Sequence, residues 1–274
     1  MFLFYSGYGI YLSIKSKEGY MRFFLLKRLL PVWVSFAICV CFFLIENLCM
    51  GVSYGIPDTL LAFTGWTSIG NDNWYMFVTF VLYIFAYLSF RFLKPEKKML
   101  GLIIFTCFSL GLVAGLYFLK RNEGNYWWNT LLCFPLGMWY AHFKDKIDAF
   151  MSKSLGFYFL GLGISIALCL GSYLLLKIHP IFYCLYSMAV ALFAVIVCMK
   201  IRFRSLPLSY LGKHVFSVYI LQRLVFRAGK ALGLNGNPYL FFAGCLAVTL
   251  VIAFAYDWIF GFVRSKLSFK RRTA

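Results

Sequence analysis

Charge is what this chain has least of. Only 13% of its 274 residues are charged, and only nine are acidic. Soluble domains average about 25% charged residues, so this chain cannot cover a globular surface, and a soluble protein is excluded. Alternating apolar and polar residues are also lacking. The apolar runs continue for about 20 residues, which excludes a membrane barrel. No repeat, low-complexity tract or soluble domain interrupts them. CxxC spacing is missing too. The nine cysteines stand mostly singly, as at Cys107, Cys133, Cys169 and Cys198, and Cys39 and Cys41 fall on different helix faces. That excludes a zinc site and leaves small core hydrophobes. Met1 leads into apolar sequence without a basic segment, so no cleavable signal peptide is expected. The three histidines, His142, His179 and His214, have no Ser, Cys or carboxylate partner at local spacing, so nothing supports triad chemistry.

What is present is apolar mass: 62% hydrophobic residues, with 32 Phe and 19 Tyr. The expected fold is all-α, a polytopic transmembrane bundle forming a single domain over residues 1–274. Nine candidate spans run over about 1–14, 29–50, 74–93, 99–119, 126–143, 155–176, 180–199, 207–226 and 238–263. The loop 51–73 holds Pro57, Asp58 and a mildly apolar stretch, and is expected to dip into the interface or form a short amphipathic helix.

The net charge of +18 invites a nucleic-acid reading, but no basic soluble module exists to carry one, and no nucleic-acid partner is expected. Basic residues instead report topology. One set of loops holds Lys15, Lys17, Arg22, Lys27, Arg28, Arg91, Lys94, Lys97, Lys98, Lys144, Lys146, Lys153, Lys200, Arg202 and Arg204. The tail adds Arg264, Lys266, Lys270, Arg271 and Arg272, and Lys213 lies on the same side. These are 21 of the 27 Lys and Arg. The positive-inside rule makes that side and the C-terminus cytoplasmic, in a multi-pass cytoplasmic-membrane protein. Trp74, Trp127 and Trp128 then fall at the outer interface. Nine spans with an inner C-terminus leave Met1 outside. The first span is also short, about 21 Å of helix against about 30 Å of hydrocarbon. A further span before Met1 is therefore expected, giving ten.

Polar residues inside the spans are costly and mark sites or pathways by default. Glu46, Gln222, Arg223 and Asp257 qualify. An interhelical hydrogen bond or salt bridge competes with function for Arg223 and Asp257, and Glu46 reads as a solvated helix end. On the outer side, Asn71-Asp72-Asn73-Trp74 and the segment from Arg121 to Asn129 mix amides, carboxylates and aromatic planes. Sugars are bound by such mixtures, and an ordinary aromatic belt also contains them. On the inner side Arg22, Lys27 and Arg28 cluster beside Pro31, a charge pattern suited to phosphates and equally to topology.

Several stretches together resemble the acyltransferase-3 family of integral-membrane O-acyltransferases. They are Phe2-Leu3-Phe4-Tyr5-Ser6-Gly7-Tyr8, similar to the family's FFxxSGY motif, and the basic turn Lys27-Arg28-Leu29-Leu30-Pro31. Asn73-Trp74-Tyr75-Met76-Phe77, Phe134-Pro135-Leu136-Gly137-Met138 and the stretch from Leu211 to Gln222 add to it. The resemblance implies acyl transfer, acetyl foremost, from cytoplasmic acyl-CoA to a hydroxyl of a cell-surface or lipid-linked polysaccharide. No bound cofactor or metal is expected; acetyl-CoA is expected as a co-substrate, and membrane lipid as a partner. Arg28, Lys27 and Arg22 are the expected donor-binding residues. Leu25 stands where the family's basic pair has its first arginine, so that pair is broken here. Ser6, Gly7 and Tyr8 are expected in the substrate tunnel, and Asn73 and Trp74 on the acceptor side. By the same resemblance the catalytic histidine lies on the family's first helix, and this chain is expected to begin at the second. The catalytic residue is thus unassigned, and impairment by roughly a factor of 10²–10⁴ is expected without that base. The rival expectations are a flippase for lipid-linked sugars and a non-catalytic homologue.

Overall fold

The computed structural model describes residues 1–201 and 205–270, with the side chains of Pro95 and residues 262–270 left out. Arg202, Arg204, Arg271 and Arg272 of the basic loops therefore lie outside the described residues, as do the side chains of Arg264, Lys266 and Lys270. The described residues form ten α-helices joined by short turns. They are α1 (Phe2–Ser16), α2 (Leu30–Cys49), α3 (Ile56–Ala62), α4 (Trp74–Arg91) and α5 (Lys98–Lys120), then α6 (Cys133–Ser152), α7 (Leu155–Leu174), α8 (Ile181–Lys200), α9 (Leu206–Ala231) and α10 (Pro238–Lys270).

Local signals explain where these helices start. Pro57, Pro207 and Pro238 each occupy the first or second helical position, where a missing N–H costs nothing. Ser154 caps α7 by accepting from the Phe157 amide, satisfying one orphan donor of the first turn. The loop 51–73 contains the short helix α3, one of the two forms expected for it.

Among the described residues six helices are long and apolar enough to cross a membrane: Leu25–Cys49, Trp74–Arg91, Lys98–Lys120, Leu155–Leu174, Ile181–Lys200 and Pro238–Gly261. Only 17% of the most apolar stretch of α7 is buried within the protein. So much exposed apolar surface needs lipid, and the chain is a multi-pass membrane protein. Nine spans were expected; the other three do not meet the same measure among the described residues. The span 1–14 falls on α1, which has 15 residues. The span 207–226 falls on α9, diluted by Lys213, Arg223, Arg227 and Lys230. The span 126–143 is displaced. Asn125–Trp127 is a 3₁₀ turn, and α6 starts at Cys133 and continues to Ser152. In its charged stretch Lys144 pairs with Asp148 one turn on, an arrangement that supports a helix.

The chain divides into two compact units. The first comprises Met1–Leu30 and Val78–Phe203, the second Pro31–Phe77 and Arg204–Ala274. In the first unit α1 packs on α6, α7 and α8 form a hairpin, and α5 and α7 flank α6. Its core holds Phe24, Tyr83, Phe105 and Phe134, with Phe105 and Phe134 ring centroids 5.4 Å apart. Trp127 and Trp128 are buried here, 1% and 2% exposed, rather than standing in an interfacial belt. The 3₁₀ turn carries them inward, where Trp128 meets Tyr117 and Tyr183 edge-on. The second unit packs α9 against α10, and the Tyr256 hydroxyl of α10 donates to the Ser35 carbonyl of α2 at 2.8 Å.

Candidate functional site

The Ser6-Gly7-Tyr8 segment lies on α1 where that helix meets α6. A Cβ added at Gly7 would overlap the Phe134 carbonyl oxygen, and one added at Gly137 would overlap the Phe4 carbonyl oxygen. Each glycine thus receives the other helix's backbone. Small residues permit such backbone approach in membrane bundles, and Gly7 and Gly137 belong to two stretches that the sequence singled out separately. Further along, the Tyr11 hydroxyl lies 2.7 Å from His142 Nδ1, and Lys15 pairs with Asp145 at 3.0 Å. Helices α1 and α6 therefore run parallel and in register. Ser6 and Tyr8 leave α1 in different directions: Ser6 lies beside the Tyr83 phenol, whereas Tyr8 meets the Tyr140 ring at a tilt and lines a groove with Tyr5.

The basic elbow is built from three helical forms in succession. Tyr20–Phe23 is a 3₁₀ turn, Leu25–Leu29 a π-helical turn, and α2 follows. Isolated π turns recur at functional sites, and this one carries Lys27 and Arg28. Arg22 and Lys27 come together over the Phe23 ring, 5.4 and 5.3 Å from its centroid. Arg28 instead lies within electrostatic reach of Tyr83. Arg22 also lines a cavity of about 680 Å³ with Lys15, Lys17, Arg91, Lys94 and Lys98. Its walls are the end of α1, the elbow and the α4–α5 turn. Two stretches distant in sequence, the continuous run through the α1 end and the elbow and the α4–α5 turn, thus gather six cations around one cavity, with Glu18 the only acidic residue lining it among the described residues. Of the three expected donor residues, Arg22 faces this cavity, while Lys27 reaches it only through their shared ring.

The second unit holds a different polar cluster, at the end of α2. Glu46 does not stand as a solvated helix end: its side chain is 9% exposed and pairs with Arg227 at 3.1 Å. Arg227 donates to Asn47 Oδ1 at 2.6 Å and to the Ile69 carbonyl at 3.2 Å, and its guanidinium lies over the Phe43 ring. Gly70, at φ +105°, makes room, since a Cβ there would overlap that guanidinium. Arg223 pairs with Asp72 at 2.7 Å. Asn73 is buried and donates to the Gly65 carbonyl at 2.8 Å, so its amide is committed to holding the loop. Trp74 is half-buried beside Tyr75, and Gln222 is half-buried on α9. The Tyr219 hydroxyl is buried without a hydrogen-bond partner, its ring 5.2 Å from Tyr75. Sequence reasoning passed over Arg227 and Tyr219. Arg227 had one available signal, its position four residues after Arg223 on the same helix face.

Asp257 accepts a hydrogen bond from Ser217 and lies 2.5 Å from His214 Nδ1, and the His214 ring packs against those of Tyr210 and Phe254. The partner that local spacing denied to His214 is thus 43 residues away. The contact ties α9 to α10.

No curated protein and no solved structure matches this chain. A family model does: that of the acyltransferase domain, over residues 1–258. With its apolar helices, the glycine-mediated seating of α1 on α6, and nearly its whole length matched, the chain belongs to the acyltransferase-3 family of membrane acyltransferases.

Proposed function

We propose that the chain moves an acyl group, acetyl foremost, from acyl-coenzyme A to a hydroxyl of an extracytoplasmic or lipid-linked glycan. The observation that carries this reading is the six-cation cavity beside the elbow. Coenzyme A bears a diphosphate and a ribose phosphate, and arginine and lysine clusters suit such groups. The positive-inside rule turns that basic end to the cytoplasm, where acyl-coenzyme A is found. In the reaction the hydroxyl oxygen bonds to the thioester carbonyl carbon, the C–S bond breaks, and the hydroxyl proton ends on the coenzyme thiol.

The acceptor side is assigned to the second unit. Asp72, Arg223 and the unpartnered Tyr219 hydroxyl offer hydrogen bonds to sugar hydroxyls, with Trp74 and Tyr75 as aromatic planes. A buried polar atom without a partner is uncommon and calls for one.

The test supplies labelled acetyl-coenzyme A to membranes of expressing cells and follows label into extracted glycan. Label should appear in glycan, and Arg22→Ala should lower its rate at limiting donor. Absence of label while lipid-linked sugar still crosses the membrane would refute the proposal in favour of a flippase.

A further inference from the structure

The first unit contains a second opening, a groove of about 430 Å³ between α1, α6, α7 and α8. The glycine contact shapes it. With α1 seated against α6 at Gly7, Tyr5 and Tyr8 flank that seam, and Tyr8 meets Tyr140 with ring centroids 5.9 Å apart. Val195 and Met199 of α8 and Tyr158 of α7 form the facing wall. Lys144, Asp148 and Lys200 also line the groove; Lys144 pairs with Asp148, and Lys200 sits 5.7 Å over the Tyr158 ring. Lys200 closes α8, one of the basic helix ends. Among the described residues the lining thus carries two ammonium groups against one carboxylate, an excess of one positive charge. Tyr5 is 48% exposed and Cys198 is exposed, so the groove opens outward. Helices α7 and α8 are both apolar spans, so the opening faces lipid.

We propose that this groove binds one anionic membrane phospholipid, with its phosphodiester against Lys200 and Lys144 and one acyl chain along Met199, Val195 and Tyr5. Charge complementarity selects the occupant. A phosphodiester with an uncharged headgroup carries one negative charge, matching the excess. A zwitterionic lipid brings its own cation next to the two lysines and gains less. A soluble phosphate would leave the aromatic and aliphatic wall unused, and that wall supplies most of the burial. Lysine presents its charge from an apolar stem, the geometry that reaches a headgroup from within the hydrocarbon edge. The inference does not depend on acyl transfer, because none of the cavity-lining cations of the elbow contributes to it.

The test uses the full chain, purified in detergent and stripped of lipid. Palmitoyl-oleoyl phosphatidylglycerol and palmitoyl-oleoyl phosphatidylcholine are titrated separately, and retained lipid is counted by native mass spectrometry. One phosphatidylglycerol should be retained in preference to phosphatidylcholine. Lys200→Ala should weaken its retention on the order of tenfold, through loss of a charge-assisted contact. Val195→Trp should fill the apolar wall and abolish retention, with thermal unfolding checking that the variant is folded. If it is not, Lys200→Ala, at an exposed helix end, still decides. Equal retention of both lipids, wild-type retention by Lys200→Ala, or displacement by glycerol phosphate would each overturn the proposal.

Discussion

Helices α1 and α6 should be far more sensitive to a single methyl group at Gly7 than at Gly9. An alanine Cβ at Gly7 would overlap the Phe134 carbonyl oxygen and sit 3.0 Å from both the carbonyl carbon and the ring edge of that residue. Carbon atoms pack comfortably at about 3.5 Å or more, so the two backbones must separate by about an ångström. The obstacle is main chain, which cannot rotate away as a side chain can. Overpacking of this kind costs about 1–3 kcal/mol, and a backbone obstacle belongs at the upper end. Alanine recovers about 1 kcal/mol of helix propensity, leaving a net loss of about 2 kcal/mol. A Cβ at Gly9 meets nothing within 4 Å, so Gly9→Ala should be neutral or slightly stabilising. Unfolding of the detergent-solubilised chain in increasing dodecyl sulfate measures both. Gly137→Ala should behave like Gly7→Ala, because its Cβ would strike the Phe4 carbonyl across the same seam. Once one alanine has parted the helices, the second has less left to disturb. The double variant should therefore lose about 1 kcal/mol or more less than the sum of the singles. Equal stability of the Gly7→Ala and Gly9→Ala variants, or strict additivity across the pair, would refute this account of the motif.

Two further perturbations address the second unit. Arg227→Met removes the partner of a Glu46 side chain that is 9% exposed, and breaking a buried pair from one side costs about 3–5 kcal/mol. Adding Glu46→Gln should restore a large part of that loss in the same unfolding assay, and a double variant no better than Arg227→Met would contradict the pairing. Tyr219→Phe removes a hydroxyl that has no partner to lose, so stability should change by less than about 1 kcal/mol. If that hydroxyl meets the acceptor, acetyl transfer should show a raised KM for glycan while KM for acyl-coenzyme A stays unchanged.

Much of the helical architecture was legible in the amino-acid order, because hydropathy is a local sum and lipid leaves a continuous apolar run little alternative to a helix. Helices α2, α4, α5, α7, α8 and α10 follow from that alone, and so does their need for a membrane. Where the sum was diluted the reading slipped. Trp127 and Trp128 looked like an interfacial belt, yet a 3₁₀ turn buries both, and the helix expected at 126–143 begins instead at Cys133.

The candidate sites divide in the same way. The charge of the elbow was visible in Arg22, Lys27 and Arg28, since like charges close in sequence stay close in space. That the α4–α5 turn joins Arg22 and the neighbouring α1 end around one cavity depended on which helices pack together. Pairing across distance was the part that hydropathy could not carry. Gly7 opposite Gly137, Glu46 beneath Arg227 and Asp257 beside His214 each link residues separated by scores of positions. Sequence alone determined that these helices exist, that they belong in lipid and that one end is basic, because each of those properties is set within a single turn or span. Only the tertiary structure decided which glycine admits which backbone and which charge finds which partner, because those energies arise between helices and have no local signature.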